Sequence, residues 1–142
     1  MKTEYTIVHV EKPEEEAWGI IGRGLHEYNL KHAGDQEFKR LCYVLQSADQ
    51  EITGGVIAEL YWGWLYIDLM WIREELRDQG YGTRLLSEVE NDAKERGAKS
   101  VYLDTFSFQA IDFYKKHGYK IEAELPDFPA GHQRYFLSKE LD

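Results

Sequence analysis

Apolar and polar positions change rhythm several times along this chain, and each change marks an element. Thr3–Val10 reads as a short β-branched strand that Lys12-Pro13 ends. Pro13 suits a first helical turn, and Glu14, Glu15 and Glu16 favour the positive end of a helix dipole. From there to Ala33 the pattern is helical but interrupted by Gly19, Gly22 and Gly24, which predicts a bent helix or two pieces. Lys39–Gln46 and Ile52–Tyr61 read as strands around the polar turn Ser47-Ala48-Asp49-Gln50. Gly54-Gly55 in the second predicts a bulge or a close backbone approach. Gly63 leads tightly into a third strand, Trp64–Ile72, and the three form an antiparallel meander.

The second half has a different rhythm. Gly80–Arg96 carries Tyr81, Leu85, Leu86, Val89 and Ala93 at helical spacing, and Gly97 suits its C-terminal stop. Glu90 and Lys94 are placed to pair across one turn. Ser100–Thr105 is a strand and Phe108–His117 a short helix, with Ser107 as its N-cap and Gly118 as its stop. Lys120–Leu125 and Gln133–Lys139 are the last strands, on either side of the loop Pro126–His132. A meander followed by strand–helix–strand–helix–strand–strand is an α/β protein, with a mixed, mostly antiparallel central sheet flanked by helices.

Composition narrows the picture further. A length of 142 residues with no linker or repeat fits one domain over residues 1–142. The single cysteine, Cys42, excludes an internal disulfide framework. No apolar run approaches the roughly 18–20 residues of a membrane span. No apolar signal core precedes the acidic cluster, so the expected location is cytoplasmic, without a membrane partner. A net charge of −9 disfavours a nucleic-acid partner and suits a cationic substrate.

The most informative stretch is Ile67–Thr83. A strand ends, a short loop follows, and a long helix opens on Gly80-Tyr81-Gly82. First-turn N–H groups have no intrahelical partner, so such a turn suits phosphate oxygens, and Arg77 adds a charge at its mouth. A dinucleotide fingerprint needs a third glycine where Leu85 stands, and no Gly-Lys-Ser/Thr exists for a P-loop. What remains is Arg77-x-x-Gly80-x-Gly82, whose bland alternative is a tight turn with no ligand.

A second dense segment, Ala110-Ile111-x-Phe113-Tyr114-x-x-x-Gly118-Tyr119, follows at a distance. With these two motifs and this order of elements, essentially the whole chain resembles the GNAT superfamily of acyl-CoA-dependent N-acetyltransferases, and its tail resembles small bacterial members. The resemblance implies transfer of an acetyl group from acetyl-CoA to a primary amine by direct attack in a ternary complex, with no metal. The backbone of Arg77, Asp78, Gln79, Gly80, Tyr81, Gly82 and Thr83 would hold the pyrophosphate. That of Met70, Trp71 and Ile72 would bind the pantetheine arm, where the strand splays from its neighbour. Tyr114 would donate a proton to the leaving thiolate. Ser107 stands where many members carry an asparagine that binds pantetheine, and either replaces it or caps the helix.

Asp68 occupies a position where a number of members place a carboxylate base. Period two puts Tyr66, Asp68 and Met70 on one face and Leu65, Ile67 and Leu69 on the other. Asp68 then either takes the amine's proton, its pKa raised by desolvation, or simply binds the cation; Glu59 is the reserve. Tyr61, Trp62, Trp64 and Tyr66 read as packing and cross-strand pairs, or as an amine pocket. The five histidines lack metal-ligand spacing, and Cys42 reads as buried packing. The loop Pro126–His132 is a surface loop, a border of the acceptor site or a homodimer contact. The expected acceptor is a small cationic molecule. Alternatives are a protein or peptide amine and a non-catalytic acyl-CoA-binding module.

Overall fold

The computed structural model describes residues 4–142, which divide after Gln36 into two compact units. In the first, one helix, α1 (Ala17–Ala33), runs unbroken through Gly19, Gly22 and Gly24. Three glycines weaken a helix but do not break it when the residues between them are mostly good helix formers. Glu16 holds the cap position, so the Glu14–Glu16 cluster precedes the first turn instead of lying within it. The expected N-terminal strand is absent: residues 4–10 carry no strand, and Thr3 lies outside the described residues. β-branched residues alone do not make a strand without an edge to pair with.

The second unit is a six-stranded sheet in the order β1-β2-β3-β4-β6-β5. Its strands are β1 (Lys39–Gln46), β2 (Ile52–Tyr61), β3 (Trp64–Ile72), β4 (Ser100–Phe106), β5 (Lys120–Pro126) and β6 (Gln133–Glu140). Its helices are α2 (Tyr81–Glu95) and α3 (Ile111–Lys116), with a 3-10 turn at Glu74–Leu76. The meander β1–β3 is antiparallel as expected, and β3 with β4 is the one parallel pair. A parallel neighbour needs a crossover, and α2 supplies it.

One face of the sheet is the core. Leu85, Leu86, Val89 and Ala93 of α2 share it with Val56, Ala58, Leu65, Ile67, Val101, Leu103 and Leu137. Each large side chain buried there contributes about 1.5–3 kcal/mol. Glu90 does not pair with Lys94. Its carboxylate accepts from Lys139 Nζ at 2.8 Å and from the Tyr119 hydroxyl at 2.5 Å, tying α2 to β6 and to the residue before β5. A half-buried carboxylate is better satisfied by these donors than by a solvated lysine one turn away. Cys42, expected in the core, is exposed.

Candidate active site

The sheet splits where β3 and β4 part. Their ladder runs from Trp64↔Ser100 to Ile67↔Leu103 and stops, although both strands continue. Beyond it β3 remains bound to β2 as far as Gly54↔Ile72, while β4 remains bound to β6 as far as Phe106↔Arg134. A bulge sits at the apex. Ile57 and Ala58 face Leu69 and Ile67, leaving Asp68 as the extra residue of β3. Bulges increase local twist, which turns β3 away from β4 directly after the last shared rung. Gly54 allows this course: a Cβ there would lie 2.8 Å from the Trp71 carbonyl oxygen. The backbone of Met70, Trp71 and Ile72 therefore has one edge without a strand partner, where an extended arm can add.

The bulge also changes which way side chains point. Leu65 and Ile67 are buried against α2, and after the extra residue Met70 and Ile72 return to that core face. Leu69 does not: it is exposed, as is Asp68. The expected grouping of Tyr66, Asp68 and Met70 on one face is thus corrected to Tyr66 with Asp68, opposite Met70. Strict alternation across Leu65–Ile72 fails because it assumes an unbroken ladder.

At the mouth of the split, α2 begins. Gly80 is its N-cap with φ +88°, a left-handed conformation that disfavours any side chain, and no side chain caps the first turn. No acidic residue lies in that turn, so its N–H groups present uncompensated positive dipole. Arg77 anchors the approach by donating from Nε to the Ile72 carbonyl at 2.8 Å. Gly82 has a different purpose: a Cβ there would meet the Phe113 ring at 3.2 Å. Its missing side chain lets α2 and α3 approach each other.

Tyr114, on α3, is buried in the core cluster, and its hydroxyl donates to Met70 Sδ at 3.7 Å. The phenol thus reaches β3 from the helix side at the start of the split. Burial pushes its pKa from 10.0 up to about 12, so the hydroxyl keeps its proton at any ordinary pH.

The opposite face is polar and aromatic. Tyr66 stacks on Tyr102 at 4.8 Å and donates to Asp104 Oδ2 at 3.1 Å. Asp104 Oδ1 takes two bonds from Arg134, at 3.0 and 2.6 Å. This network ties β3, β4 and β6 together at the apex. Burial first, then Asp104 and the charge of Asp68, push Tyr66 up to about 12. Arg134 also lies over Phe106 and Phe128, at 5.6 and 5.0 Å from the ring centroids.

With this geometry in hand, comparison with known proteins is decisive. The sequence model of the acetyltransferase (GNAT) family matches residues 6–119. The chain belongs to that family. It is 38% identical over 92 residues to blasticidin-S acetyltransferase of Streptomyces morookaense, covering 64% of this chain and 68% of that protein. An acetyltransferase of Agrobacterium fabrum is 30% identical over 126 residues, covering 89% and 92%. The crystal structure of an acetyltransferase from Bacillus cereus ATCC 14579 superposes with TM-score 0.87 at 36% identity, covering 94% of this chain and 98% of that one. The GNAT fold, the α/β class and the acetyltransferase activity follow.

Within this GNAT chain the open β3 edge, the uncapped α2 turn and the Tyr114 phenol lie near one another: the phenol reaches Met70, and a Cβ at Gly82 would stand 3.5 Å from Ile72 Cδ1. Asp68 lies exposed on the other face of β3. Ser107 is not the cap of α3, a position Ala110 holds. Its hydroxyl instead accepts from the Gln133 backbone N–H at 3.1 Å and meets His132 Nδ1 at 3.3 Å, closing the Pro126–His132 loop onto the end of β4. The helix starts later than the pattern suggested because Gln109 Oε1 accepts from the Phe106 N–H and Thr105 Oγ1, holding the segment as a turn. Sequence reasoning missed Asp104 and Arg134. The signal was present in β4, where Tyr102, Asp104 and Phe106 alternate with Val101, Leu103 and Thr105. Among the described residues no helix is long and apolar enough to cross a membrane.

Proposed function

We propose that this GNAT enzyme transfers an acetyl group from acetyl-CoA to the primary amine of a small cationic molecule, by direct attack within a ternary complex. The observation that carries the reading is the proximity of a β3 edge without a strand partner, an uncapped α2 N-terminus and the protonated hydroxyl of Tyr114. The pyrophosphate rests on the N–H groups of Tyr81, Gly82 and Thr83, with Arg77 at the mouth. The pantetheine arm extends β3 along Met70–Ile72, which lays the thioester in the gap between β3 and β4. Tyr114 then faces the thioester sulfur from the helix side. Asp68, on the opposite face, receives the ammonium, orients it and takes its proton as nitrogen attacks the carbonyl carbon. Tyr114 and Asp68 flank the gap from its two sides, so neither crowds the other. Collapse of the tetrahedral intermediate breaks the C–S bond and leaves the thiolate beside the phenol.

Three observations favour a small cationic acceptor over a peptide. Asp68 and Glu59 share the face of Tyr66, the chain carries a net charge of −9, and a relative is named for acetylating blasticidin-S. A direct test is thiol release from acetyl-CoA across polyamines, aminoglycosides, other cationic antibiotics and short peptides, with calorimetric CoA binding in parallel. Turnover confined to small cations supports the reading. Turnover on peptides alone refutes the acceptor class, and tight CoA binding with no turnover on any amine favours a non-catalytic binding module.

A further inference from the structure

His117 has no part in the transfer, yet it sits against the phosphate turn. It is the residue that closes α3, three positions beyond Tyr114. Its Nε2 lies 3.0 Å from Thr83 Oγ1, in the first turn of α2. The ring is held edge-on to Phe113, with centroids 4.5 Å apart and planes at 84°. Phe113 is also the ring that fills the space beside Gly82. The imidazole is therefore fixed by its packing, and what it fixes in turn is the hydroxyl of Thr83.

A threonine hydroxyl has one proton to give and two lone pairs to receive with. If Nε2 carries a proton, it fills a lone pair of Oγ1 and leaves the hydroxyl proton free for another acceptor. Both the Nε2–H tautomer and the imidazolium do this. We propose that His117 is a positioning residue for the donor substrate: its Nε2–H donates to Thr83 Oγ1 and so turns the Thr83 hydroxyl toward the pyrophosphate of acetyl-CoA. Two donors in series then point at the anion, in line with the N–H groups of the turn. The short helix α3 serves both ends of the substrate, Tyr114 at the sulfur and His117 at the phosphates. The assignment rests on the acetyl-CoA reading above.

The test compares calorimetric binding of CoA with binding of pantetheine, which lacks the pyrophosphate, for the unaltered chain and its variants. His117→Ala weakens CoA binding about fivefold, the scale of one hydrogen bond, and leaves pantetheine binding unchanged. His117→Gln, whose amide can place a donor near the position of Nε2, stays within about twofold of the unaltered chain. In a Thr83→Ala background, His117→Ala adds nothing, because the relay is already broken. Turnover at saturating acetyl-CoA is the same with and without the imidazole. Normal CoA affinity in His117→Ala, equal weakening of CoA and pantetheine, or additive effects in the double variant would each overturn the proposal. If the unaltered chain binds CoA no better than pantetheine, the phosphate-turn assignment itself fails, an outcome separate from the loss of His117's role.

Discussion

Replacing Tyr114 by phenylalanine isolates one hydroxyl at the proposed reaction centre. Burial holds its pKa at about 12, whereas an ordinary thiol lies near 8.5. Handing the proton completely to the departing thiolate is then uphill by about 5 kcal/mol, at 1.36 kcal/mol for each factor of ten. In the proposed mechanism Tyr114 is therefore chiefly a hydrogen-bond donor to the developing thiolate, and the proton that finally neutralises sulfur traces back to the amine. A hydrogen bond to a charged group contributes about 1.5–3 kcal/mol, so Tyr114→Phe lowers kcat by about 10- to 150-fold. The structural cost is small. The substitution removes a long O–H···S contact to Met70 and keeps the ring's edge-on packing against Phe113 and Tyr119.

The pH dependence follows with a definite sign. Deprotonation removes the donor as pH rises, and with a pKa of about 12 the proton remains in place through the ordinary assay range. Thiol release at saturating substrates is therefore not limited by Tyr114 below roughly pH 11. The assay is initial-rate thiol release across pH for both proteins, with melting temperatures as a folding control. An unchanged kcat in a well-folded variant would remove Tyr114 from the mechanism. An alkaline fall near pH 8–9 that vanishes in Tyr114→Phe would refute the burial argument.

Gly82→Val sets a branched side chain where a Cβ alone would lie 3.2 Å from the Phe113 ring and costs about 1–3 kcal/mol of stability by overpacking, read by chemical denaturation; a variant as stable as the parent contradicts the α2–α3 contact described here. Asp68→Asn lowers kcat/KM for the amine by about tenfold or more while acetyl-CoA binding is unchanged, because it removes the proposed base but leaves the donor cleft intact. Equal kcat/KM in steady-state assays would rule Asp68 out as base and as cation anchor. Arg134→Ala strips Asp104 Oδ1 of both its donors and destabilises the chain by about 1–3 kcal/mol, a range discounted for the 28% and 15% exposure of the two side chains. No change in the denaturation midpoint would show that the apex network contributes nothing.

Much of the scaffold around this candidate site was legible because it is made of backbone. The meander boundaries, the α2 turn and the segment around Tyr114 are set by local rules: turn residues, helical spacing and glycine punctuation. Long-range partners were not legible in the same way. That Ser107 closes a loop instead of capping a helix depends on Gln133 and His132, far along the chain, and on Gln109 taking the capping work. Likewise, Glu90 finds its donors on Lys139 and Tyr119, which no i,i+4 rule points to. The first strand failed for a related reason, since strand propensity cannot say whether an edge is there to receive it.

The bulge at Asp68 joins these two kinds of information. It was written into Leu65-Tyr66-Ile67-Asp68-Leu69-Met70-Trp71-Ile72 as a change of phase, because Leu65 and Ile67 belong to one apolar set and Met70 and Ile72 to another one residue out of step. A single alternation cannot bury both pairs, and the pairing Ile57↔Leu69 beside Ala58↔Ile67 is how the fold reconciles them. One extra residue then does two things. It ends the β3–β4 ladder and it returns Met70 to the face from which Tyr114 reaches it, while Asp68 keeps the face of Tyr66 that plain alternation gives it. The open β3 edge and the Tyr114–Met70 contact are thus consequences of a single register shift. Deleting Asp68 should therefore damage both together, through loss of CoA affinity as well as turnover, where Asp68→Asn affects turnover alone. A deletion variant that folds and still binds CoA normally would show that the split in the sheet has some other origin.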